Sequence, residues 1–157
     1  MKVLLFKPVS LLDKLICFFT RGSYQHVSIL LNNGTIIESK PFKGVRILKS
    51  INVALESNPI CEVCSIDVSP YQIEDITSFL ISQIGKKYDY ASALGFAFFT
   101  NKEDRESRNR WFCSELVFTA FSKSGIELLK RIPAWKVSPS MIAYSNLITV
   151  EYIKIKD

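Results

Sequence analysis

Two side chains far apart in the chain are of the types that a cysteine nucleophile mechanism needs. His26, the only histidine, opens the apolar segment His26-Val27-Ser28-Ile29-Leu30-Leu31, and Cys113 opens Cys113-Ser114-Glu115-Leu116-Val117, which has helical spacing. A thiol attacks as its thiolate, and the first turn of a helix favours that form through unpaired N–H groups and the positive end of the dipole. A neighbouring imidazole takes the proton and returns it to the leaving group, while a third polar side chain holds the ring in one tautomer.

Glu38 is the candidate for that third group, because it stands inside the otherwise apolar run Ile36-Ile37-Glu38-Ser39. Its face depends on the turn at Asn32-Asn33-Gly34. A two-residue loop pairs Leu31 with Ile36 and sets Glu38 opposite Ile29, away from His26. A three-residue loop with Gly34 left-handed pairs Leu31 with Thr35 and Ser28 with Glu38, which places Glu38 diagonally beside His26. A triad therefore requires the three-residue loop or an equivalent bulge. Each residue also has a structural reading: a partly buried histidine at a strand end, a cysteine acting as a small core hydrophobe, a glutamate on an exposed edge. Their joint arrangement is what favours chemistry.

The elements that position these residues follow from hydrophobic periodicity and turn chemistry. A strand at Lys2 to Phe6 precedes a helix from Leu11 to about Phe19, with Ser10 as N-cap and Arg21-Gly22 as the stop. His26 to Leu31 and Thr35 to Lys40 form a hairpin, and Gly44 to Leu48 and Ile60 to Asp67 extend the sheet. Ser69-Pro70-Tyr71-Gln72 offers a capping box to a helix with the apolar stripe Ile73, Ile76, Leu80 and Ile84, ended by Gly85. A short apolar helix at Ala91 to Phe99, whose Phe96, Phe98 and Phe99 read as core or as a lipid-facing groove, leads into a charged loop over 101–109. The Cys113 helix then runs to Gly125, a short helix starts at Ser138-Pro139, and Leu147 to Ile155 alternates as a strand. Without regular βαβ alternation, this order predicts an α+β fold with a mostly antiparallel sheet.

Composition fits that reading. Hydrophobic residues are 48% and charged residues 22% of 157, the balance of one folded domain spanning 1–157. Lys7 and Pro8 interrupt the N-terminal apolar run, so no signal peptide or transmembrane segment is expected and the expectation is a cytoplasmic protein. The net charge of +5 suits anionic partners and peripheral contact with cell wall or membrane. Lysines and arginines are scattered without a nucleic-acid module, so no nucleic-acid partner is expected. Cys61-Glu62-Val63-Cys64 has C-x-x-C spacing, but a strand points its two cysteines to opposite faces and the sequence has no second C-x-x-C. No cofactor, metal or disulfide framework is expected. The oligomeric state is left open.

Taken in order, His26-Val27-Ser28-Ile29, then Glu38-Ser39 with Gly44-Val45, then Gly85-Lys86-Lys87-Tyr88-Asp89-Tyr90, then Trp111-Phe112-Cys113-Ser114-Glu115-Leu116-Val117 and Gly125 form a pattern. It resembles the circularly permuted NlpC-type papain-like hydrolases, the YiiX-like branch, in which the histidine strand precedes the cysteine helix. The resemblance spans about Lys2 to Ile126. It implies a permuted papain-like fold, a sheet or partial barrel packed against helices, with Cys113 as nucleophile, His26 as general base and acid, and Glu38 as the orienting residue. Tyr88 matches the family's tyrosine near the active site, as a pocket wall or oxyanion partner; packing at a helix end accounts for it equally. The implied activity is a thiol hydrolase or acyltransferase on a peptide or lipid acyl substrate, cleaving an amide, ester or thioester, with peptidoglycan peptide amides ahead. The alternative is a non-catalytic module that binds a peptide, lipid or protein partner.

Overall fold

The computed structural model describes residues 1–11, 13, 14, 17, 22–91, 93 and 109–156. In chain order these contain strands β1 (Lys2–Phe6), β2 (His26–Leu30), β3 (Ile36–Lys40) and β4 (Gly44–Leu48), helix α1 (Ile51–Leu55), strand β5 (Ile60–Ser65) and helix α2 (Pro70–Ser82). Two-residue strands β6 (Lys87–Tyr88) and β7 (Arg110–Trp111) follow, then α3 (Cys113–Lys123), a 3-10 turn at Ala134–Lys136, α4 (Pro139–Ala143) and β8 (Thr149–Ile155). Six strands form one sheet in the order β4-β3-β2-β1-β5-β8, with every neighbouring pair antiparallel. The fold is α+β with an antiparallel sheet, as the pattern of elements predicts.

β1 lies inside the sheet, between β2 and β5, and both its faces are covered. Its run Val3-Leu4-Leu5-Phe6 is accordingly buried throughout instead of alternating with polar residues. Val3 and Leu5 join Val27, Ile29 and Ile37 against Ile76 and Leu80 of α2 and Leu116, Ala120 and Phe121 of α3. Leu4 and Phe6 join Ile36, Leu48 and Val63 on the other face, covered by Ala54 and Leu55 of α1. The same alternation parts the C-x-x-C pair: Cys61 belongs to the α1 side and Cys64 to the α2/α3 side.

The first hairpin uses the three-residue loop. Leu31 N–H donates to the Thr35 carbonyl at 2.8 Å, and Gly34 takes φ +84°, where a side chain is disfavoured. The register is Ile29 opposite Ile37 and Leu30 opposite Ile36, which carried one step further sets Ser28 opposite Glu38. In the second hairpin Lys40 faces Gly44 and Glu38 faces Arg46 directly. A Cβ on Gly44, at φ +65°, would lie 2.2 Å from the Lys86 carbonyl oxygen. The missing side chain lets Val45 N–H donate to that carbonyl at 2.8 Å while Gly85 N–H donates to the Val45 carbonyl at 2.9 Å, so the segment leading into β6 is laced to β4.

Other elements refine the sequence reading. The capping box of α2 is present, with Ser69 N–H donating to Gln72 Oε1 at 2.9 Å and Gln72 N–H to Ser69 Oγ at 3.3 Å. The helix stops at Ser82, so Ile84 falls in the following turn and is exposed rather than completing the stripe. The Ser10 cap is formed reciprocally with Asp13, but most of the helix expected over 11–19 lies outside the described residues. So do the helix expected at 91–99, apart from Ala91 and Ala93, and all of the charged loop but Asn109. α1, β6 and β7 have no counterpart in the sequence reading. Among the described residues no helix is long and apolar enough to cross a membrane.

Candidate active site

Cys113 is the first residue of α3, preceded by Phe112 in extended conformation. The helix start lacks a side-chain cap from Phe112 itself; instead Glu115, in the first turn, reaches back to accept the Phe112 backbone N–H. Ser114 Oγ donates to the Val137 carbonyl at 2.6 Å and so ties the same turn to the residue that follows the 3-10 segment. On the approach to Cys113, Ser39 Oγ of β3 donates to the Trp111 carbonyl at 2.6 Å, and Trp111 Nε1 donates to Gln83 Oε1 at 3.0 Å. Adjacent residues of β3 therefore do two things: Ser39 holds the chain entering the cysteine helix, and Glu38, on the opposite face, meets the histidine.

His26 starts β2 and is 4% exposed. Its Nε2 lies 2.7 Å from Glu38 Oε2, which leaves the other ring nitrogen for Cys113, whose thiol is close enough to the imidazole to act on its charge. The Phe6 ring packs against the imidazole at 5.4 Å. Glu38, 1% exposed, is held from its other oxygen by Arg46, with Nε at 3.0 Å and Nη2 at 2.7 Å from Oε1. The sequence candidates Cys113, His26 and Glu38 thus come together in one place, with His26 and Glu38 hydrogen-bonded and the Cys113 thiol beside the imidazole, and the structure adds Arg46. Motif and spacing give no role to Arg46 or to the Ser39 hydroxyl, because each acts on a partner that only the fold brings near. A signal for Arg46 does exist in the second hairpin: Pro41-Phe42-Lys43 counted as a three-residue turn sets Arg46 opposite Glu38.

The electrostatics follow from burial and these bonds. Burial opposes charge on His26, but the bonds to Cys113 and Glu38 outweigh it and raise the imidazole to about 9. Burial likewise opposes charge on Glu38, and the bonds from His26 and Arg46 outweigh it, holding the carboxyl down at about 2. At Cys61 and Cys64 burial is the leading influence. Burial pushes Cys61 up to about 11 and Cys64 up to about 12, so both remain protonated near neutrality. Glu115 is pushed up to about 7, chiefly by burial, with the Phe112 N–H opposing and the charge of Asp89 adding to the rise. Its Oε2 has no hydrogen-bond partner among the described residues.

Tyr88, in β6, is half-buried and close enough to Cys113 to feel its charge; burial first, then that charge, raises the phenol. A cavity of about 750 Å³ lies beside this segment, lined by Gly85, Lys86, Lys87, Asp89, Ala91, Asn109 and Arg110. Lys87 and Asp89 line it, whereas Tyr88 and Tyr90 do not. Neither Cys113 nor His26 lines that cavity. Among the described residues no three His, Cys, Asp or Glu side chains are grouped as metal ligands.

Residues 4–132 match the model of a family described as permuted papain-like amidase enzyme, YaeF/YiiX. A curated Escherichia coli protein named probable lipoprotein peptidase YaeF is 24% identical over 164 aligned positions, which cover 87% of this chain and 59% of that protein. The chain therefore spans little more than half the length of that relative. The crystal structure of a protein titled metalloprotein yiiX, also from Escherichia coli, superposes with a TM-score of 0.71 at 15% identity, covering 99% of this chain and 97% of that one. This likeness shows a common fold.

Proposed function

The chain belongs to the permuted papain-like amidase family of YaeF and YiiX, and from that premise we propose that it cleaves an amide through an acyl-enzyme on Cys113. The meeting of buried Cys113, His26 and Glu38, with half-buried Arg46 on Glu38, is the observation that carries this reading. Cys113 Sγ passes its proton to the imidazole and attacks the carbonyl carbon. The tetrahedral intermediate collapses as His26 returns the proton to the leaving nitrogen, giving a thioester. Water, deprotonated by His26, attacks the thioester and frees the thiol and the carboxylic acid. Glu38 holds the ring through Nε2 and balances the positive charge that the imidazole carries in both steps; Arg46 fixes Glu38 in turn. The Cys113 backbone N–H, which the first helical turn leaves without an intrahelical partner, is the donor for the developing oxyanion, with Tyr88 nearby.

An amide fits the name of the curated relative, since a peptidase cleaves amides. Esters and thioesters follow the same steps with an oxygen or sulfur leaving group, and an acceptor other than water makes the protein an acyltransferase. A screen of wild type against Cys113→Ala, with peptide amides and lipid esters side by side, tests the proposal. Turnover of a peptide amide by wild type, lost by at least about a thousandfold in Cys113→Ala, is the expected result. Turnover retained in Cys113→Ala would overturn it.

A further inference from the structure

We propose that Tyr88, Tyr90 and Phe42 form a subsite for an apolar group of the acyl donor, leading from the Cys113 thiol to the tip of the β3–β4 hairpin. The subsite presupposes Cys113 as the nucleophile. Three rings stand in successive contact: Tyr88 beside Cys113, Tyr90 at 5.1 Å from Tyr88 in an edge-to-face arrangement, and Phe42 at 5.7 Å from Tyr90. Exposure rises along the row, from half-buried Tyr88 through Tyr90 at 42% to Phe42 at 91%.

Phe42 is the informative member. It is a bulky residue at φ +63°, where glycine is the unstrained choice, and its ring gains almost nothing from burial. The position is nevertheless fixed, because Phe42 N–H donates to Tyr90 Oη at 2.6 Å. Strain held in place to display an aromatic ring at the end of a row of rings that begins beside the nucleophile is the mark of a binding surface. Its occupant is apolar because the row is made of ring faces in contact with one another, while the charged Lys87, Asp89 and Arg110 line the separate cavity, which none of the three rings lines. Both an alkyl chain and an aromatic side chain supply that chemistry.

Chloroacetamides test this without knowledge of the natural donor: the thiol sulfur bonds to the methylene carbon, chloride leaves, and the thiol proton passes to His26. Rates of Cys113 labelling are measured by mass for N-methyl, N-octyl and N-phenethyl chloroacetamide. In wild type an apolar probe labels roughly tenfold faster than the N-methyl probe, the faster of the two identifying an alkyl or an aromatic group as occupant. In Phe42→Gly that ratio falls toward one, while the melting temperature stays level or rises because the left-handed strain is relieved. Tyr90→Ala lowers the ratio similarly. Equal rates for all three probes in wild type, or an unchanged ratio in Phe42→Gly, would overturn the subsite. A wild-type dimer that disappears in Phe42→Gly with no change in the ratio would reassign the rings to self-association and overturn it too. Failure of Cys113 to react even with the N-methyl probe would instead overturn the nucleophile reading beneath it.

Discussion

At the residue scale, Glu38 decides what the imidazole can do. One carboxylate oxygen faces His26 and the other faces Arg46, so the pair is neutralised from both sides inside a site that water hardly reaches. The two shifts have opposite consequences for pH dependence. His26 is raised from 6.5 to about 9, so its contribution to stability is complete below pH 6.5 and lost as pH rises through 9. Glu38 is lowered from 4.5 to about 2, so its contribution is complete above pH 4.5 and lost as pH falls through 2. The two contributions overlap fully between pH 4.5 and 6.5. Glu38→Gln is expected to cost roughly 2 kcal/mol, about 4–8 °C in melting temperature, with the gap from wild type widest in that window and narrowing on both flanks. A gap independent of pH would show that Glu38 and His26 do not titrate as a pair. His26 and Glu38 were legible as candidate partners because both sit in one hairpin, while the face of Glu38 turned on a loop length that the structure resolves as three residues. Arg46 lies one hairpin further on, opposite Glu38, and carries no signal until that second register is fixed.

At the scale of elements, two hairpins and one helix start build the site. Gly34 and Gly44 are both left-handed, yet they differ in what surrounds them: nothing lies within 4 Å of a Cβ on Gly34, whereas a Cβ on Gly44 meets the Lys86 carbonyl at 2.2 Å. Gly34→Ala is expected to cost about 1–2 kcal/mol from the dihedral alone. Gly44→Ala adds a clash with backbone, costs more, and pushes away the strand that carries Tyr88, so it also changes the relative labelling of Cys113 by apolar probes. Denaturant melts of the two variants compare the costs directly; equal values would show that the β4 to β6 lacing is not tight. The two-residue strands that follow this lacing are too short to leave a periodic pattern, and α1 spans only Ile51–Leu55. The capping box of α2 and the long alternating strands, by contrast, are written locally and were legible. Periodicity carries the α2 stripe on to Ile84, but the turn at Gln83 ends the helix before that residue is reached.

At the scale of the whole molecule, the histidine comes from the second strand and the cysteine from a helix past the middle of the chain, in the permuted order of the family. The sheet carries His26, Glu38 and Arg46 on the face shared with Phe6 and Ile36, while the body of α3 packs on the other face. The thiol therefore reaches the imidazole from the end of its helix. Periodicity within single elements made the sheet and the helices readable. The docking of α3 is a long-range contact, so only the order of motifs, read as a resemblance, pointed to it. The most direct test of the assembled pair is the rate of iodoacetamide labelling at each cysteine, resolved by peptide mass, in wild type and in His26→Ala at pH 7. Cys113 is expected to label rapidly in wild type while Cys17, Cys61 and Cys64 stay inert, and His26→Ala is expected to slow Cys113 by at least about tenfold. Cys113 labelling no faster than Cys61 and Cys64, or at the same rate with and without His26, would contradict the pairing of thiol and imidazole.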